Sequence, residues 1–453
     1  MGPRVKNMTE GKPLPLIVSF ALPLMMGNVF QQLYTVVDTM VVGKALGVSA
    51  LAALGAADWL NWLMLGIIQG LTQGFAILMA KEFGARQYGS LRQVVGNSTV
   101  LAAISSVVFL AVGMWYARPV LELMDTPAEV MDGALLYLRI MYLGIPIVMA
   151  YNLLACILRS LGDGQTPLNA MIVASFTNIA LDLLFVLVFR WGIAGAAIAT
   201  LIAQFVSSLY CLWHIRKLDI LALSRSDFRI QLPLAKQLLI LGTPMAFQNA
   251  LIAIGGLFVQ RVVNALGVIF MAGFTATNKL FGILEIAATS YGYAMITYVG
   301  QNLGAGKPDR IRRGMRAAVI VAVLTSLVIS AVMLIFGKAI LSLFISGTPE
   351  EVAETLRVAY YYLSLMSICL PVLYVLHVTR SAIQGMGNTV MPMVSGIAEL
   401  AVRMVCAVLM PMLLGEMGIL YSEVLAWVGA VCVLIPSYFV CIKKLQNKIQ
   451  QNS

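Results

Sequence analysis

Residues 15–39, PLIVSFALPLMMGNVFQQLYTVVDT, are the stretch that decides the fold. These 25 residues carry one charged side chain, Asp38, near their end. An apolar run of about 20 residues is what a helix needs to cross a bilayer. The segment therefore predicts a membrane-spanning helix, and it places a carboxylate inside that helix.

Similar apolar runs fill the rest of the 453-residue chain, from about Leu14 to Ile442. Charged residues make up only 11% of the sequence, and the mean hydropathy is +0.90. A soluble protein of this length could not cover its surface with so few charges. We therefore predict an all-α polytopic membrane protein with twelve transmembrane helices at 15–39, 51–79, 94–115, 134–158, 167–189, 193–214, 236–262, 275–300, 314–337, 356–379, 390–412 and 419–442.

The basic residues are distributed unevenly between alternate loops. If the N-terminus is cytoplasmic, 21 of the 30 Lys and Arg residues lie in inner segments and 8 lie in outer loops or the adjoining helix ends. The positive-inside rule then predicts a multi-pass membrane protein with both termini cytoplasmic. The net charge of +10 would face the anionic inner leaflet, so we expect membrane lipid and no nucleic acid as a partner.

The two halves of the chain resemble each other. SFALPLMMGNVFQQ around Pro23 matches LILGTPMAFQNALI around Pro244, and KALGVSALAALGAADWL matches NALGVIFMAGFTATNKL. Three further stretches, AKEFGARQ, LGDGQT and WGIAG, find counterparts in the same order, at a spacing of 220 to 223 residues. Five ordered matches at a nearly constant spacing indicate an internal duplication.

Each repeat holds six predicted spans, so both have the same orientation and their pseudo-two-fold axis lies along the membrane normal. Parallel repeats of this kind occur in some secondary transporters, with the substrate path between the halves. The predicted organisation is a cytoplasmic tail at 1–13, an N-lobe at 14–214, a cytoplasmic inter-lobe loop at 215–235, a C-lobe at 236–442 and a cytoplasmic tail at 443–453.

Polar side chains inside the first lobe are the candidates for ion coupling. Asp38 lies in the first span and Asp182 in the fifth, with Asn178 one helical turn before Asp182. Thr200 lies in the sixth span and Asn152 in the fourth. Their oxygens suit a hard cation such as Na⁺, and a buried carboxylate can also carry a proton. The alternative is that these groups only hydrogen-bond neighbouring helices.

The second lobe carries different intramembrane groups. Val259 falls opposite Asp38, and Val405 falls opposite Asp182. Glu399 and Arg403 are spaced as an i, i+4 pair, so we expect them to neutralise each other. We predict no enzymatic site and no bound cofactor or structural metal, because the chain's two histidines are far apart and its cysteines show no paired spacing.

A cavity for flat organic cations would need aromatic, Met and acidic side chains. Ordinary packing is the alternative for each candidate, and polar packing is the alternative for the lone histidine of the tenth span. The candidate lining residues are Tyr34, Tyr142, Phe258, Glu285, Tyr291, Met295 and His377.

The segments ALPLMMGNVFQQLYTVVDTMVVGKALG, RSLGDGQTP, GQNLGAGKPDRIRRG and RSAIQGMGNT resemble the multidrug and toxic compound extrusion (MATE) family across both lobes. The resemblance implies two pseudo-symmetric six-helix lobes that alternate between inward and outward openings. It implies that Asp38 is the family's acidic residue in the first helix, and that Asn178, Asp182 and Thr200 form its cation or proton site. It also implies that Pro23 is a hinge that bends the first helix when this site is protonated.

The resulting hypothesis is a secondary active antiporter, acting as a monomer, that exports organic cations or drugs in exchange for inward H⁺ or Na⁺. The coupling ion is the only cofactor expected. The alternative is a flippase of lipid-linked or other amphipathic precursors, which would need a cationic cavity. An intramembrane enzyme would need a catalytic cluster, and the duplicated lobes argue against a receptor or channel.

Overall fold

A computed structural model describes residues 5–124, 126–343, 345 and 348–452, and these form helices with no strand. The parts of the predicted tails at 1–4 and 453 lie outside the described residues. The α-helices are α1 Pro13–Leu46, α2 Val48–Gly84, α3 Tyr88–Leu123, α4 Ala128–Leu143, α5 Ile145–Ser160, α6 Gln165–Asp182, α7 Gly192–Ile215, α8 Leu232–Asn264, α9 Val268–Leu284, α10 Ile286–Gly304, α11 Pro308–Ser342, α12 Pro349–Gly385, α13 Val390–Leu414 and α14 Tyr421–Asn452.

Eleven helical segments of the described chain are long and apolar enough to cross a membrane, and a bent pair of helices makes the twelfth. This confirms the predicted all-α polytopic fold with twelve spans. The prediction of one continuous helix at 134–158 is wrong, because α4 and α5 meet at a 50° bend. Gly144 lies at the break, and Pro146 follows in the first turn of α5, where its ring and missing N–H interrupt the helix.

Two further predicted spans are each present as one membrane-crossing segment, but their α-helical hydrogen bonding is interrupted. The span predicted at 275–300 consists of α9 and α10, which meet at Glu285. The span predicted at 167–189 begins as α6 and changes to a π-helical turn at Leu183–Val188, directly after Asp182. Such π segments occur often at functional sites, because they redirect the side chains beside them.

The chain divides into two compact units. The first contains residues 5–8 and Leu22–Ala250, and the second contains Thr9–Ala21 and residues 251–452. The predicted lobes assign the start of α1 to the first half and the start of α8 to the second. In the structure the start of α1 belongs to the second unit, and the start of α8 belongs to the first. Both divisions therefore fall inside a helix, next to Pro23 in α1 and shortly after Pro244 in α8.

Glycines on α2 explain why the start of α8 belongs to the first unit. A Cβ on Gly74 would lie 2.3 Å from Gly242 Cα, and a Cβ on Gly70 would lie 2.6 Å from Ala246 Cα. Asn249 Nδ2 also donates to the carbonyl of Gly66 at 2.9 Å. Small residues let two backbones approach this closely, which favours association within a membrane.

The segment that leads from α7 to α8 is attached to α3 by one side chain. Asn97, fully buried, donates through Nδ2 to the carbonyls of Asp227 at 3.3 Å and Arg229 at 3.2 Å. Its Oδ1 accepts from the N–H of Gln231 at 2.9 Å. These bonds fix the connecting segment against the first unit.

The start of α1 is held within the second unit by two basic side chains. Lys307 Nζ donates to the carbonyl of Thr9 at 3.0 Å, and Arg310 Nη1 donates to the carbonyl of Gly11 at 2.9 Å. Backbone carbonyls near the N-terminus are thereby bound by the loop before α11 and by its first turn.

Gly74→Ala tests the close contact between α2 and α8. We expect the free energy of unfolding to fall by about 1–3 kcal/mol, because the new methyl group meets backbone that cannot move aside. Gly55→Ala in the same helix is the control, since nothing lies within 4 Å of its Cβ position. Thermal unfolding of the purified protein in detergent would measure both, and equal stability of the two variants would contradict the contact.

Candidate functional site

The first unit brings Asn178, Asp182 and Thr200 together at the interface of α6 and α7. Asn178 Nδ2 donates to Thr200 Oγ1 at 3.3 Å, and Ser207 Oγ donates to the carbonyl of Ala170 at 3.2 Å further along the same pair of helices. Asn178 and Asp182 are fully buried, and Thr200 is 9% exposed. The α-helical spacing of four residues puts Asn178 and Asp182 on one face.

Helix α1 lies beside α6 with a constant register, which brings Asp38 to the same place. Gly27 packs against Leu168, and Ser175 Oγ donates to the carbonyl of Phe30 at 3.3 Å. Two helical turns further along each helix, the carboxyl groups of Asp38 and Asp182 interact directly. The structure thus joins the two carboxylates that the sequence singled out.

Four oxygens of this cluster lack a donor in the described part of the chain. Asp38 Oδ1, both carboxylate oxygens of Asp182 and Asn178 Oδ1 are buried and accept no hydrogen bond from the described part of the chain. A buried charge without a partner is costly and persists only if something neutralises it. Carboxylate, amide and hydroxyl oxygens are the ligands of a hard cation, and either carboxylate can instead take up a proton.

Asp58 on α2 and Tyr137 on α4 also belong to this electrostatic environment, and sequence reasoning missed both. Asp58 is close enough to Asp38 for their charges to interact, and Tyr137 interacts with Asp58, Asp38, Tyr34 and Asp182. No three His, Cys, Asp or Glu side chains of the described chain converge on a metal-binding position. Asp58 thus lies near Asp38 but does not form a three-residue metal site with Asp38 and Asp182. Its position inside the predicted span 51–79 was the signal that could have identified it.

The other first-unit candidates do not join this cluster through a hydrogen bond. Asn152 is 7% exposed and donates to the carbonyl of Val148 in its own helix, at 2.8 Å. Tyr142 is 4% exposed, and its ring lies 2.8 Å from the Cβ position of Gly113. Pro23 lies inside α1, where it removes one backbone hydrogen bond.

The second unit pairs its buried charges. Arg403 Nη2 lies 3.0 Å from Glu399 Oε1, so the predicted i, i+4 pair is present. It is part of a larger network, because Arg380 Nη2 lies 2.7 Å from Glu399 Oε2 and Arg403 Nη2 lies 2.6 Å from Glu423 Oε1. Trp427 Nε1 donates to Glu423 at 3.3 Å. Two arginines and two glutamates balance each other.

The remaining second-unit candidates lie near the break between α9 and α10. His377 Nε2 lies 3.2 Å from Glu285 Oε1. The Tyr291 hydroxyl hydrogen-bonds the Thr325 hydroxyl at 3.0 Å, and Met295 is fully buried. In this conformation Tyr291 and Met295 are interior packing residues, and their role in a cavity stays a prediction.

Comparisons with known proteins agree on one family. The MatE family model matches residues 23–184 and 244–409, more than half of the chain. The probable multidrug resistance protein YpnP of Bacillus subtilis (strain 168) is 30% identical over 350 residues, which cover 77% of this chain and 78% of that protein.

Solved structures agree on the fold. A MATE protein solved in a bent conformation is 22% identical, with a TM-score of 0.90 over 99% of this chain and 100% of that one. A straight conformation gives the same values. A MOP superfamily transporter from Pyrococcus furiosus is 23% identical, with a TM-score of 0.92 over 98% of this chain and 99% of that one. At these identities the likeness concerns the fold alone.

Replacing a buried carboxylate by the matching amide tests whether its charge has a partner. Asp182 has none in the described part of the chain, and Glu399 is paired with arginines. We expect Asp182→Asn to leave the free energy of unfolding unchanged or higher in ion-free buffer, because it removes a charge that has no donor. We expect Glu399→Gln to lower the free energy of unfolding by about 3–5 kcal/mol, because it leaves the buried Arg380 without its carboxylate partner. Thermal unfolding in detergent measures both variants, and destabilisation of Asp182→Asn as large as that of Glu399→Gln would show that Asp182 has a hidden partner.

Proposed function

The chain belongs to the MatE family of bacterial membrane transporters, and from that premise we propose that it exports organic cations, drugs included, in exchange for inward Na⁺ or H⁺. Drug export is supported by the curated relatives. Three of them are described as probable multidrug resistance proteins and one as a multidrug resistance protein. Ion coupling is supported by one observation above all others. In the first unit Asp182 is fully buried beside the half-buried Asp38, and Asp38 Oδ1 and both carboxylate oxygens of Asp182 are buried and accept no hydrogen bond from the described part of the chain.

The proposed ion site consists of Asp38, Asp182, Asn178 and Thr200. For Na⁺, the ligands would be carboxylate oxygens, Asn178 Oδ1 and Thr200 Oγ1. For H⁺, one carboxyl group would take up the proton and donate a hydrogen bond to the other carboxylate. In this way two acidic groups can share one buried site with a single negative charge. Asn152 would act as a helper from α5. Either ion removes negative charge that the fold buries without compensation.

Exchange of the substrate cation for the coupling ion would follow if the neutralised and the charged ion site favour different conformations. A coupling ion that enters from outside neutralises Asp38 and Asp182 and favours one arrangement of α1, while a substrate cation favours the charged site. Each ligand shifts the population toward the state that it binds more tightly. A shift from 1:99 to 99:1 needs a difference of about 5.5 kcal/mol in binding free energy between the two states. Uncompensated buried charge supplies energy on this scale.

Pro23 is the proposed hinge. It lies inside α1 two residues from the point at which that helix passes from the second unit to the first. A proline lacks the N–H that would bond the carbonyl four residues earlier, so bending at this point costs little. Support also comes from the similar MATE protein, which has been solved in both a bent and a straight conformation.

We propose the remaining features on the same basis. The substrate is a small organic cation, contacted by some of Tyr34, Tyr142, Glu285, Tyr291, Met295 and His377. The protein works as a monomer in the bacterial inner membrane, contacts lipid, keeps both termini in the cytoplasm and needs no cofactor besides the coupling ion. Family members are transporters, not enzymes. The flippase alternative is not favoured, because multidrug resistance proteins are among the curated relatives.

Asp38→Asn tests the coupling role. We expect the variant to insert and fold but to lose ion-driven export, because the substrate cation and the coupling ion no longer compete for the charge. Efflux of a fluorescent cation from proteoliposomes is measured under an imposed Na⁺ gradient and then under an imposed pH gradient, which also identifies the ion. Asp219→Asn, at an exposed carboxylate outside the spans, is the control. Wild-type efflux by Asp38→Asn would rule out the mechanism.

Pro23→Ala tests the hinge separately from the ion site. Alanine restores the missing backbone hydrogen bond and stiffens α1, so we expect a lower initial rate of efflux. The thermal stabilisation by the coupling ion should persist, because the substitution leaves Asp38 and Asp182 in place. A variant that transports at the wild-type rate would show that α1 need not bend at this residue.

A further inference from the structure

The start of α11 carries exposed basic side chains next to a membrane span. Arg312, Arg313 and Arg316 lie within five residues and are all exposed. The next 21 residues, 317–337, contain no charged side chain. An apolar stretch of about this length is what a helix needs to cross the hydrocarbon of a bilayer. Arg316 therefore lies where the span ends and the lipid headgroups begin.

These arginines are not neutralised by the protein. The ion pairs of the described part of the chain use other arginines, so Arg312 and Arg316 have no carboxylate partner there. Arg313 Nε donates to the backbone carbonyl of Asp309 in its own helix, at 3.5 Å. Arg312 and Arg316 are one helical turn apart, and like charges at this spacing repel each other. An anion that contacts both side chains removes that repulsion.

Helix α14 adds a hydroxyl group to this pair of arginines. Helices α11 and α14 contact each other within the second unit. Tyr438 of α14 lies close enough to Arg312 and Arg316 for their charges to act on its hydroxyl group. Tyr438 is only 7% exposed, and its hydroxyl forms no hydrogen bond with the described part of the chain. Two guanidinium groups and a hydroxyl donor suit the oxygens of a phosphate group.

The first unit covers the equivalent position with its own chain. At the repeat spacing of 220 residues, Arg316 corresponds to Gly96 of α3. A Cβ on Gly96 would overlap the carbonyl group of Asp227, so the connecting segment lies directly on α3 at this point. In the second unit α14 instead continues as a helix to Asn452, and Arg316 stays exposed. The second unit thus leaves open, with an arginine on it, a face that the first unit covers.

The orientation of the spans does not account for this concentration of charge. In the repeat, Arg312 corresponds to Arg92, and Arg313 corresponds to Gln93. The start of α3 therefore has one arginine at the positions where α11 has three. The positive-inside rule concerns the total of basic residues in the loops, and both repeats have the same predicted orientation. The additional arginines indicate a bound anion at this place.

The surroundings of Arg316 favour an amphipathic anion over a small soluble one. Ile320, Leu324 and Leu327 follow Arg316 on the same face of α11 and are 51–59% exposed. On α14, Phe439 next to Tyr438 is 63% exposed. A molecule with a phosphate group at the arginines and hydrocarbon chains along these side chains has the shape of a phospholipid. Polybasic groups beside a span attract anionic lipids in particular.

We propose that Arg312, Arg316 and Tyr438 form a binding site for the phosphate group of an anionic phospholipid, whose acyl chains lie along the exposed apolar face of α11. The proposed topology puts this lipid in the cytoplasmic leaflet. A lipid that contacts both α11 and α14 would stabilise the second unit by binding its folded form. The site is separate from the ion site of the first unit, and it does not depend on which substrate is exported.

Native mass spectrometry of the full-length protein, titrated with phosphatidylglycerol in detergent, tests the site. The measured quantity is the dissociation constant of the first bound lipid. We expect Arg312→Gln with Arg316→Gln to raise it about tenfold, because both charged donors are lost. Tyr438→Phe should raise it about threefold, because one hydroxyl donor is lost. Arg225→Gln with Arg229→Gln is the matched control, since it removes the same charge from exposed arginines of the connecting segment.

Two further ligands identify what the site recognises. Phosphatidylethanolamine has the same phosphate group and a compensating ammonium group, so we expect it to bind more weakly to the wild-type protein and to respond little to the substitutions. Glycerol phosphate has the headgroup chemistry without acyl chains and should not displace phosphatidylglycerol. Displacement by glycerol phosphate would overturn the lipid assignment in favour of a soluble anion.

The remaining outcomes decide between a specific site and general charge. Equal weakening in the two double variants would reduce the effect to net charge and overturn the proposal. An unchanged constant in the Arg312 and Arg316 variant would also overturn it and would leave the export function standing. Thermal unfolding without added lipid checks that each variant folds, and Arg316→Gln alone serves as the test if the double variant does not.

Discussion

Two adjacent carboxyl groups, the fully buried Asp182 and the half-buried Asp38, have buried oxygens with no donor in the described part of the chain, and they impose the main constraint on this molecule. Asp38 and Asp182 come from helices far apart in sequence, and the parallel register of α1 and α6 brings them together. Nothing in ordinary packing energetics favours this arrangement, since like charges in a low-dielectric interior repel each other. The proposed coupling ion, Na⁺ or H⁺, would supply the neutralising charge that the described part of the chain does not supply.

The two units treat buried charge in opposite ways, although they descend from one duplicated sequence. In the second unit, Glu399 and Glu423 satisfy Arg380 and Arg403 at distances of 2.6–3.0 Å, which makes a neutral and rigid connection between helices. In the first unit Asp38 and Asp182 form no ion pair within the described part of the chain. The two halves therefore share a scaffold but differ at single positions, such as Asp38 against Val259, so the proposed ion site has no counterpart at these positions in the second half.

The sequence predicted the architecture well, because membrane-spanning helices can be recognised from the length and hydropathy of apolar segments. It also predicted the pairing of Glu399 with Arg403, since four residues make one helical turn. It could not predict Arg380 or Glu423 as partners, because they come from other helices and their contact depends on helix rotation. The bend between α4 and α5 was missed although Gly144 and Pro146 mark it, because hydropathy continues through the bend. Asp58 was missed although it lies inside the predicted span 51–79, because its closeness to Asp38 depends on how α1 and α2 pack.

The contact between Asn97 and the segment before α8 has a mechanical consequence. Three hydrogen bonds to Asp227, Arg229 and Gln231 hold the segment that joins the duplicated halves against α3, inside the first unit. This segment therefore belongs mechanically to the first unit. The chain passes from one unit to the other within α1 and α8, so any change in the arrangement of the units would bend these two helices and leave the connecting segment in place.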